Sequence, residues 1–280
     1  MTERIAAGLA AVVTGGASGF GRALAELCAS NGADIAVLDI DGEGAETVAG
    51  DLAAAHGVRT TGTRVDVGST EDVARAADLV ADELGRVDLV FANVGVQQFG
   101  PIEHLTDEEW RWVLDVNVIG AARTARAFLP LLRRSSTPRL VFTTSANVLA
   151  PAARLGAYQA SKYAVFAIAE TLHYELADDG IAVSVVFPSG MMTRHLESSM
   201  AARPDIGGTT EWDQEVVAMM ESRPMGPADI TTPEDAARDV LADVLAGERY
   251  IVTHGELDEA VQERHLAISA ALQRVAQRRS

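Results

Sequence analysis

Cysteine is scarce in this 280-residue sequence, and neither a membrane-spanning helix nor a secretion signal is expected in it. Its single cysteine, Cys28, cannot form a disulfide within the chain, which suits a reducing compartment. No apolar run approaches the roughly 20 residues that a membrane-spanning helix needs. The first residues lack the basic start and the small-residue cleavage site of a signal peptide. We therefore expect a cytoplasmic protein that does not insert into a membrane.

Positive charge is also scarce. Lysine and arginine total 23 against 40 aspartates and glutamates, so the formal net charge is −17 at pH 7. Nucleic acids and anionic membranes would be repelled by such a chain, and neither is expected as a main partner. None of the six histidines shows a metal-ligand spacing such as H-E-x-x-H, so no metal site is expected either.

The sequence does contain a regular alternation of short Val/Ile/Leu-rich runs with longer amphipathic segments. Runs separated by helical segments of this length indicate repeated strand–helix–strand units, and hence a parallel sheet with helices on both faces. Continuous apolar runs are typical of strands covered on both faces. We predict one α/β domain over 1–280, with strands at 11–14, 35–39, 60–66, 89–93, 140–145, 181–187 and 250–253, and helices near 21–30, 43–55, 70–84, 107–132, 157–178, 233–246 and 256–277.

Two segments of this pattern carry further signals. Thr106 with Glu109 forms a capping box and Leu105 with Trp110 is spaced as a hydrophobic staple, so a helix is predicted to begin there. Glu109 is then a first-turn residue that suits the helix dipole, not part of an acidic binding site. The region 191–232 is rich in Met, Ser, Pro and Gly and has no steady periodicity. Because long insertions of this kind are usually functional, we predict a substrate lid.

A glycine-rich turn, Thr14-Gly15-Gly16-Ala17-Ser18-Gly19-Phe20-Gly21, follows the first predicted strand. Its glycines allow a tight turn and a close approach to a pyrophosphate, while the following helix offers free N–H groups to the anion. A P-loop is excluded because Arg22-Ala23 follows its last glycine, and a hydrolase nucleophile elbow is excluded because Gly19 directly follows Ser18. The turn therefore predicts a dinucleotide site.

Asp39 ends the second predicted strand. A carboxylate there can accept hydrogen bonds from the adenosine ribose hydroxyls and would repel a 2′-phosphate. Neither the glycine loop nor Ile40 supplies a basic side chain for that phosphate. The sequence thus favours NAD over NADP.

Four further motifs occur in order along the chain: Asn93-Val94-Gly95, Asn117, Ser145, and Tyr158 with Lys162. Together with the glycine turn, this set resembles the short-chain dehydrogenase/reductase family, from Leu9 to about Thr253. The resemblance implies a Rossmann-type, doubly wound, seven-stranded parallel sheet. It also implies NAD-dependent oxidation of a secondary alcohol to a ketone, or the reverse reduction.

Tyr158 and Lys162 stand four residues apart, which places them on one helical face. A free tyrosine has a pKa of about 10 and is a poor base at neutral pH. A nearby ammonium group and a positive nicotinamide ring lower that pKa, so Tyr158 is the expected acid/base group. Ser145 would orient the substrate oxygen and stabilise charge on it. The resemblance implies that Lys162 also binds the nicotinamide ribose and that Asn117 holds a water linking Lys162 to solvent.

The remaining site predictions follow from the glycine turn, from the resemblance and from position after a strand. Two departures from the family pattern are Val94, where alanine is usual, and Ser189, where glycine is usual, so a slightly altered nicotinamide pocket is expected. Small-molecule substrate contacts are predicted at Gln97, Phe99, Met191 and His195. Cofactor contacts are predicted at Gly15, Ser18, Gly19, Phe20, Gly21, Asp39, Asp66, Val67, Asn93, Gly95, Tyr158, Lys162, Pro188 and Thr193.

Two functions fit these residues. One is an oxidoreductase acting on a mainly apolar substrate, and the other is a non-catalytic NAD(H)-binding regulatory or redox-sensing protein on the same fold. The complete set of Asn117, Ser145, Tyr158 and Lys162 favours the enzyme. The resemblance also implies a homo-oligomer, a dimer or a tetramer, with the helices at 107–132 and 157–178 as contact surface.

Overall fold

A parallel sheet forms the centre of the computed structural model, which describes residues 4–193, 195–206, 212–222 and 226–278. Within these ranges the strands are β1 (Ala10–Thr14), β2 (Asp34–Asp39), β3 (Thr60–Arg64), β4 (Leu89–Ala92), β5 (Arg139–Thr143), β6 (Ala182–Phe187), β7 (Gly190–Met191), β8 (Ile230–Thr231) and β9 (Tyr250–Val252). Seven of them make the main sheet in the order β3-β2-β1-β4-β5-β6-β9, each parallel to its neighbours. The predicted seven-stranded, doubly wound sheet is confirmed.

The described helices are α1 (Gly19–Ser30), α2 (Gly42–His56), α3 (Thr70–Leu84), α4 (Asp107–Leu114), α5 (Gly120–Leu132), α6 (Gly156–Glu175), α7 (His195–Ala202), α8 (Trp212–Ser222), α9 (Pro233–Ala237), α10 (Val240–Ala246) and α11 (Asp258–Gln277). Buried side chains such as Val73, Phe128 and Val165 join α3, α5 and α6 to one face of the sheet. Leu24 and Leu241 belong to the core on the other face, beneath α1 and α10. Apolar runs covered on both faces explain why the strands could be found from sequence.

The chain order reverses between β1 and β4, which are neighbours at the middle of the sheet. At such a switch point the loops after the two strands diverge to opposite sides and leave a crevice at the carboxyl ends of the strands. The glycine turn follows β1 and Asn93 follows β4, so both lie at this crevice. The topology therefore brings these two predicted cofactor segments to one crevice.

The long helix predicted over 107–132 is wrong in one respect, because a π turn at Asp115–Ile119 separates α4 from α5. There the N–H of Gly120 bonds to the carbonyl of Asp115, five residues back, instead of four. Gly120 packs closely on the loop that follows β3, where an added Cβ would lie 2.8 Å from Val67 Cγ2. The turn carries Asn117 into the interior, where it is fully buried. Apolar spacing could not reveal one extra residue in a turn.

Other boundaries also differ from the predictions. The helix predicted at 233–246 is divided into α9 and α10. The third strand is polar and only partly buried, since it lies at the edge of the sheet, and the expectation of continuous apolar strands is wrong for it. The predicted capping box at Thr106 and Glu109 is confirmed.

The region predicted as a lid, 191–232, contains α7 and α8 and is joined at its ends by β7 and β8. Gly190 pairs with Ile230 and Met191 with Thr231, so the region leaves and returns at nearly the same point. Residues 194, 207–211 and 223–225 of the predicted lid lie outside the described residues.

Candidate active site

The glycine turn is held against the end of β2. Its first N–H, from Gly15, donates to the Leu38 carbonyl at 2.7 Å. Gly15 has a φ of 69°, a left-handed conformation that favours glycine. An added Cβ on Gly21 would lie 2.0 Å from the Gly15 carbonyl oxygen, so no larger residue fits at that helix start. The turn also lines a cavity.

Asp39 borders the same cavity beside the glycine turn. Its Oδ2 accepts the N–H of Ala17 at 3.0 Å and its Oδ1 accepts the N–H of Asp41 at 3.1 Å. Burial raises the pKa of this carboxyl, and the hydrogen bonds from the backbone oppose the rise. The orientation of the Asp39 carboxylate is therefore fixed by one backbone N–H on each of its two oxygens.

A cavity of about 1040 Å³ runs from the glycine turn to the predicted lid. Every predicted catalytic, cofactor and substrate residue lines it except Asn117. The structure thus brings together residues that stand up to 180 positions apart, from Gly15 to His195. Their roles in binding and catalysis stay predictions.

Lys162 and Tyr158 are both buried on α6. The Lys162 Nζ atom lies 5.8 Å from the centroid of the Tyr158 ring and donates a hydrogen bond to the Thr143 carbonyl at 3.0 Å. Burial lowers the pKa of Lys162 to about 8. Burial raises the pKa of Tyr158, and hydrogen bonding from Ser145 and Gln97 opposes this. The direction is opposite to the lowering expected from Lys162, because desolvation of the phenol dominates in this pocket.

Ser145 stands just after β5, at the mouth of a short 3₁₀ turn. Its Oγ accepts the N–H of Asn147 at 3.2 Å. The next N–H, that of Ala146, donates to the Pro188 carbonyl at 2.8 Å and so fixes the segment after β6 beside the serine. Ser145 and Tyr158 therefore face the same part of the cavity, as the resemblance implies.

Asn117 lies beneath the cavity wall instead of lining it. Its Oδ1 accepts the Val96 N–H at 2.7 Å, and its Nδ2 donates to the Val96 carbonyl and to Ser161 Oγ, both at 2.9 Å. Both amide hydrogens are thus used within the protein. An added Cβ on neighbouring Gly95 would lie 2.8 Å from Lys162 Nζ. The bonds from Asn117 to Val96 therefore hold the stretch of backbone that Lys162 contacts.

Two further predicted cofactor residues are positioned by short-range bonds. Asn93 donates from Nδ2 to the Thr14 carbonyl at 3.1 Å, which joins β4 to the glycine turn. Thr193 Oγ1 accepts the His195 N–H at 3.2 Å at the start of α7. The Thr193 side chain also lies 3.6 Å from the position that a Cβ on Gly19 would take. The region predicted as a lid therefore begins directly against the glycine turn.

The far end of the cavity is apolar. Phe99, Leu155 and Tyr158 form a buried cluster there, against which parts of the lid pack. Burial, and then the charge of Lys162, lower the pKa of His195 to about 4, so its imidazole is neutral at pH 7. The partly buried residues packed on this cluster are Trp112, Ala152, Leu196, Val216 and Met219.

Sequence reasoning missed how α7 is anchored. Glu109 is 0% exposed, and its Oε1 accepts hydrogen bonds from Arg203 at 2.9 Å and from Gln98 at 3.1 Å. Ser199 Oγ accepts the N–H of Gln97 at 3.0 Å. Glu109 is thus both a capping residue and the partner of a cation 94 positions away. No local pattern could have signalled this pair, because the two residues meet only in the folded chain.

No helix among the described residues is both long and apolar enough to span a bilayer. They also contain no group of three or more histidine, cysteine, aspartate or glutamate side chains arranged to hold a metal ion.

Comparison with known proteins places this geometry in a family. The model described as short chain dehydrogenase matches residues 9–204. The 1-deoxy-11-beta-hydroxypentalenate dehydrogenase of Streptomyces exfoliatus is 37% identical over 214 residues, which cover 75% of this chain and 76% of that protein. The C alpha-dehydrogenase of a Sphingobium species is 30% identical over 262 residues, or 92% of this chain and 84% of that protein.

A solved structure agrees over nearly the full length. It is a short chain dehydrogenase/reductase from Burkholderia phymatum in complex with NAD, with a TM-score of 0.85, 30% identity and coverage of 97% of each chain. Since the named relatives are dehydrogenases, the non-catalytic alternative is not favoured. The chain belongs to the short-chain dehydrogenase/reductase family and is an oxidoreductase of that family.

Proposed function

We propose that the protein interconverts a secondary alcohol and a ketone by hydride transfer with NAD, using Tyr158 as general acid/base. The observation that carries this proposal is that Tyr158, Ser145 and Lys162 line the cavity that begins at the glycine turn. Hydride transfer to or from an alcohol carbon also requires a proton to leave or reach the oxygen, and a positioned phenol performs that step.

The cavity fits a dinucleotide at its glycine end. The tight approach of Gly21 to Gly15 leaves space where a side chain would otherwise project, and the N-terminus of α1 supplies N–H groups for a pyrophosphate. The Asp39 carboxylate at the end of β2 suits ribose hydroxyls and opposes a 2′-phosphate. The cofactor is NAD, which, when bound, accepts or supplies the hydride. Asp66, Val67, Asn93, Gly95, Pro188 and Thr193, with Ser18, Gly19 and Phe20, would complete its site.

The chain's own residues would divide the proton chemistry between them. Ser145 orients the substrate oxygen by hydrogen bonding, and Tyr158 takes the proton in oxidation or returns it in reduction. Lys162 holds a positive charge beside the phenol, since its pKa of about 8 keeps the ammonium form at neutral pH. Asn117 supports the backbone on which Lys162 rests, through its two bonds to Val96.

The substrate that best fits is bulky and mainly apolar. Phe99 and its cluster form one wall, and Met191 also lines the cavity, where the predicted lid begins. Gln97 and His195 border the same space. We propose that the lid over 191–232 excludes water from this end of the cavity when substrate is bound.

The test compares Tyr158→Phe with the wild type and with Tyr174→Phe, a control at a tyrosine whose side chain is largely exposed. The assay follows NADH absorbance with a panel of apolar secondary alcohols, together with NADH binding by fluorescence. Loss of a positioned general base costs about 10²–10⁴-fold in rate. We expect a loss in that range for Tyr158→Phe, with NADH binding retained and with Tyr174→Phe unchanged. Equal turnover by Tyr158→Phe and wild type would refute the mechanism.

We also propose that the protein is a homo-oligomer, a dimer or a tetramer, that pairs through α5 and α6. A shallow apolar groove of about 410 Å³ lies between these helices, lined by Ala122, Leu129, Ile168 and Leu172 among others. Sedimentation should give a mass at least twice 29.5 kDa, and Leu129→Glu should reduce it to the monomer. A wild-type monomer at assay concentration would contradict this proposal.

A cytoplasmic location also belongs to this proposal. Cys28 is fully buried, and burial raises the pKa of its thiol to about 12, so it stays protonated and unreactive. A lone inert thiol needs no oxidising compartment.

A further inference from the structure

His195 stands at the first position of α7, where the lid meets the substrate end of the cavity. Its N–H is held by Thr193 Oγ1 at 3.2 Å, and its carbonyl accepts a hydrogen bond from Ser199 Oγ at 2.7 Å. The same Ser199 hydroxyl accepts the N–H of Gln97, whose side chain interacts with the Tyr158 hydroxyl. The backbone of His195 is therefore fixed relative to the acid/base group.

The imidazole of His195 differs from neighbouring polar side chains in its partners. Lys162 donates to the Thr143 carbonyl, and Ser145 accepts from Asn147. His195 bonds through its backbone alone, and within the described ranges its ring makes no hydrogen bond. His195 is only half-buried and lines the cavity, so its ring nitrogens are free to hydrogen-bond a molecule bound there.

The ring is also neutral at assay pH, since burial and the charge of Lys162 hold the pKa of His195 at about 4. One of its nitrogens then donates and the other accepts. Its neighbour Leu196 packs on the apolar cluster of Phe99 and Leu155. A neutral donor and acceptor in an apolar wall discriminates strongly, because a ligand that lacks the matching oxygen leaves the ring unpaired on binding.

The charged side chains among the described residues that line the cavity lie outside the predicted lid. No acidic or basic side chain among the described lining residues belongs to the lid or to the segment 143–158, which carries Ser145 and Tyr158. Among the described residues that line the cavity there, a carboxylate or phosphate on the substrate would therefore find no cation apart from Lys162. The charged side chains that do line the cavity are Arg22, Asp39, Asp66, Asp115, Lys162 and Glu234.

We propose that His195 determines substrate specificity by hydrogen-bonding a second, uncharged oxygen of the substrate. The substrate class is then a bulky, neutral, mainly apolar secondary alcohol that carries a further hydroxyl, ether or ketone oxygen. This inference rests on the oxidoreductase function proposed above and adds a requirement that the catalytic residues do not impose.

The experiment uses the full chain with NAD and matched probes. The plain alcohol is 1-phenylpropan-1-ol, and its oxygenated partners are 1-phenylpropane-1,2-diol and 1-phenylpropane-1,3-diol. The variants are His195→Phe, which removes the polar atoms, and His195→Asn, which keeps a neutral donor and acceptor. His104→Phe, at an exposed histidine, is the matched control. Binding of the corresponding ketones to the NADH complex, followed by NADH fluorescence, gives a second readout.

Loss of one hydrogen bond to a neutral group should lower kcat/KM and ketone affinity for at least one oxygenated probe about tenfold in His195→Phe. The same variant should change the plain probe less than threefold, and His195→Asn should keep most of the wild-type preference. Equal losses on all probes would show a structural role and overturn the inference. So would a wild type that favours neither oxygenated probe over the plain one. Failure of the oxidoreductase function is seen separately, as absence of Tyr158-dependent turnover on every probe.

Discussion

The pair formed by Arg203 and Glu109 offers a direct test of how the lid is held. Arg203 follows α7, and its guanidinium meets a carboxylate that is 0% exposed at the start of α4. Arg203→Met keeps the length of the side chain but removes the charge. Removing one partner of a buried ion pair costs about 3–5 kcal/mol, because the remaining charge is left uncompensated.

The expected cost lies below that range for two structural reasons. The Arg203 side chain is 19% exposed, and Glu109 keeps two other donors, Gln98 Nε2 and the N–H of Thr106. We expect about 2 kcal/mol, which corresponds to a roughly 30-fold change in an equilibrium constant. The change falls on local opening of α7, since its other described polar anchor is the bond between Ser199 and Gln97.

Hydrogen exchange followed by mass spectrometry measures this opening directly. Amides within 195–202 should exchange roughly 30-fold faster in Arg203→Met, while amides of β1 and β4 keep their protection. Arg238→Met is the matched control, because its side chain is 68% exposed and pairs with Asp235 at the surface. KM for substrate should rise in Arg203→Met and stay constant in the control.

A second substitution separates charge from packing. Glu109→Gln in the Arg203→Met background removes the uncompensated charge and keeps an oxygen for the Thr106 N–H. Exchange of α7 should then slow again by several-fold. The reasoning is refuted if Arg203→Met changes exchange in 195–202 by less than threefold, or if the double variant exchanges as fast as the single one.

Three further predictions concern the cofactor and proton machinery. The pKa of buried Lys162 is about 8 against its ordinary 10.5, so between these values the unfolded chain binds more protons and stability rises with pH. In NAD-free protein, Lys162→Met should therefore raise the free energy of unfolding at pH 7 by about 3 kcal/mol, a gain that shrinks towards pH 10 in urea titrations; a constant gain would contradict this. Gly95→Ala should displace the lysine amine, since its Cβ would lie 2.8 Å from Nζ, and lower kcat/KM about 100-fold with little change in Tm; retained activity would show that Lys162 is not placed by this contact. Asp39→Ala should relax the preference for NAD over NADP in kcat/KM, because the carboxylate no longer opposes a 2′-phosphate; an unchanged ratio would assign the preference to other residues.

Much of the fold could be predicted because it is written in local patterns. Runs of apolar residues covered on both faces predicted the strands of the main sheet to within about two residues at most ends. Thr106 and Glu109 predicted the start of α4, since a capping box acts within one turn. The π turn at Asp115–Ile119 escaped prediction because one extra residue in a turn does not follow from the period of apolar residues. The strand β3 was predicted, but its polar composition was not.

The candidate site divides in the same way. Tyr158 and Lys162 were found from their spacing on one helix together with Ser145 and the family resemblance. The glycine turn was found from its position after a strand. Asn117 was found by its resemblance to a family position, yet its bonds to Val96 and Ser161 appear only in the folded chain. The rise that burial causes in the pKa of Tyr158 was not predicted from sequence, because desolvation depends on everything that surrounds the ring.

The sequence by itself determined which chemical groups this protein brings to its site and the order of the elements that carry them. Local geometry suffices for that, since turns, caps and helix faces depend on residues a few positions apart. Only the tertiary structure decided that Glu109 anchors Arg203, that Lys162 donates to Thr143, and that the His195 ring stays neutral beside the cavity. These outcomes depend on burial and on contacts between distant segments, and both exist only once the sheet and its helices have packed.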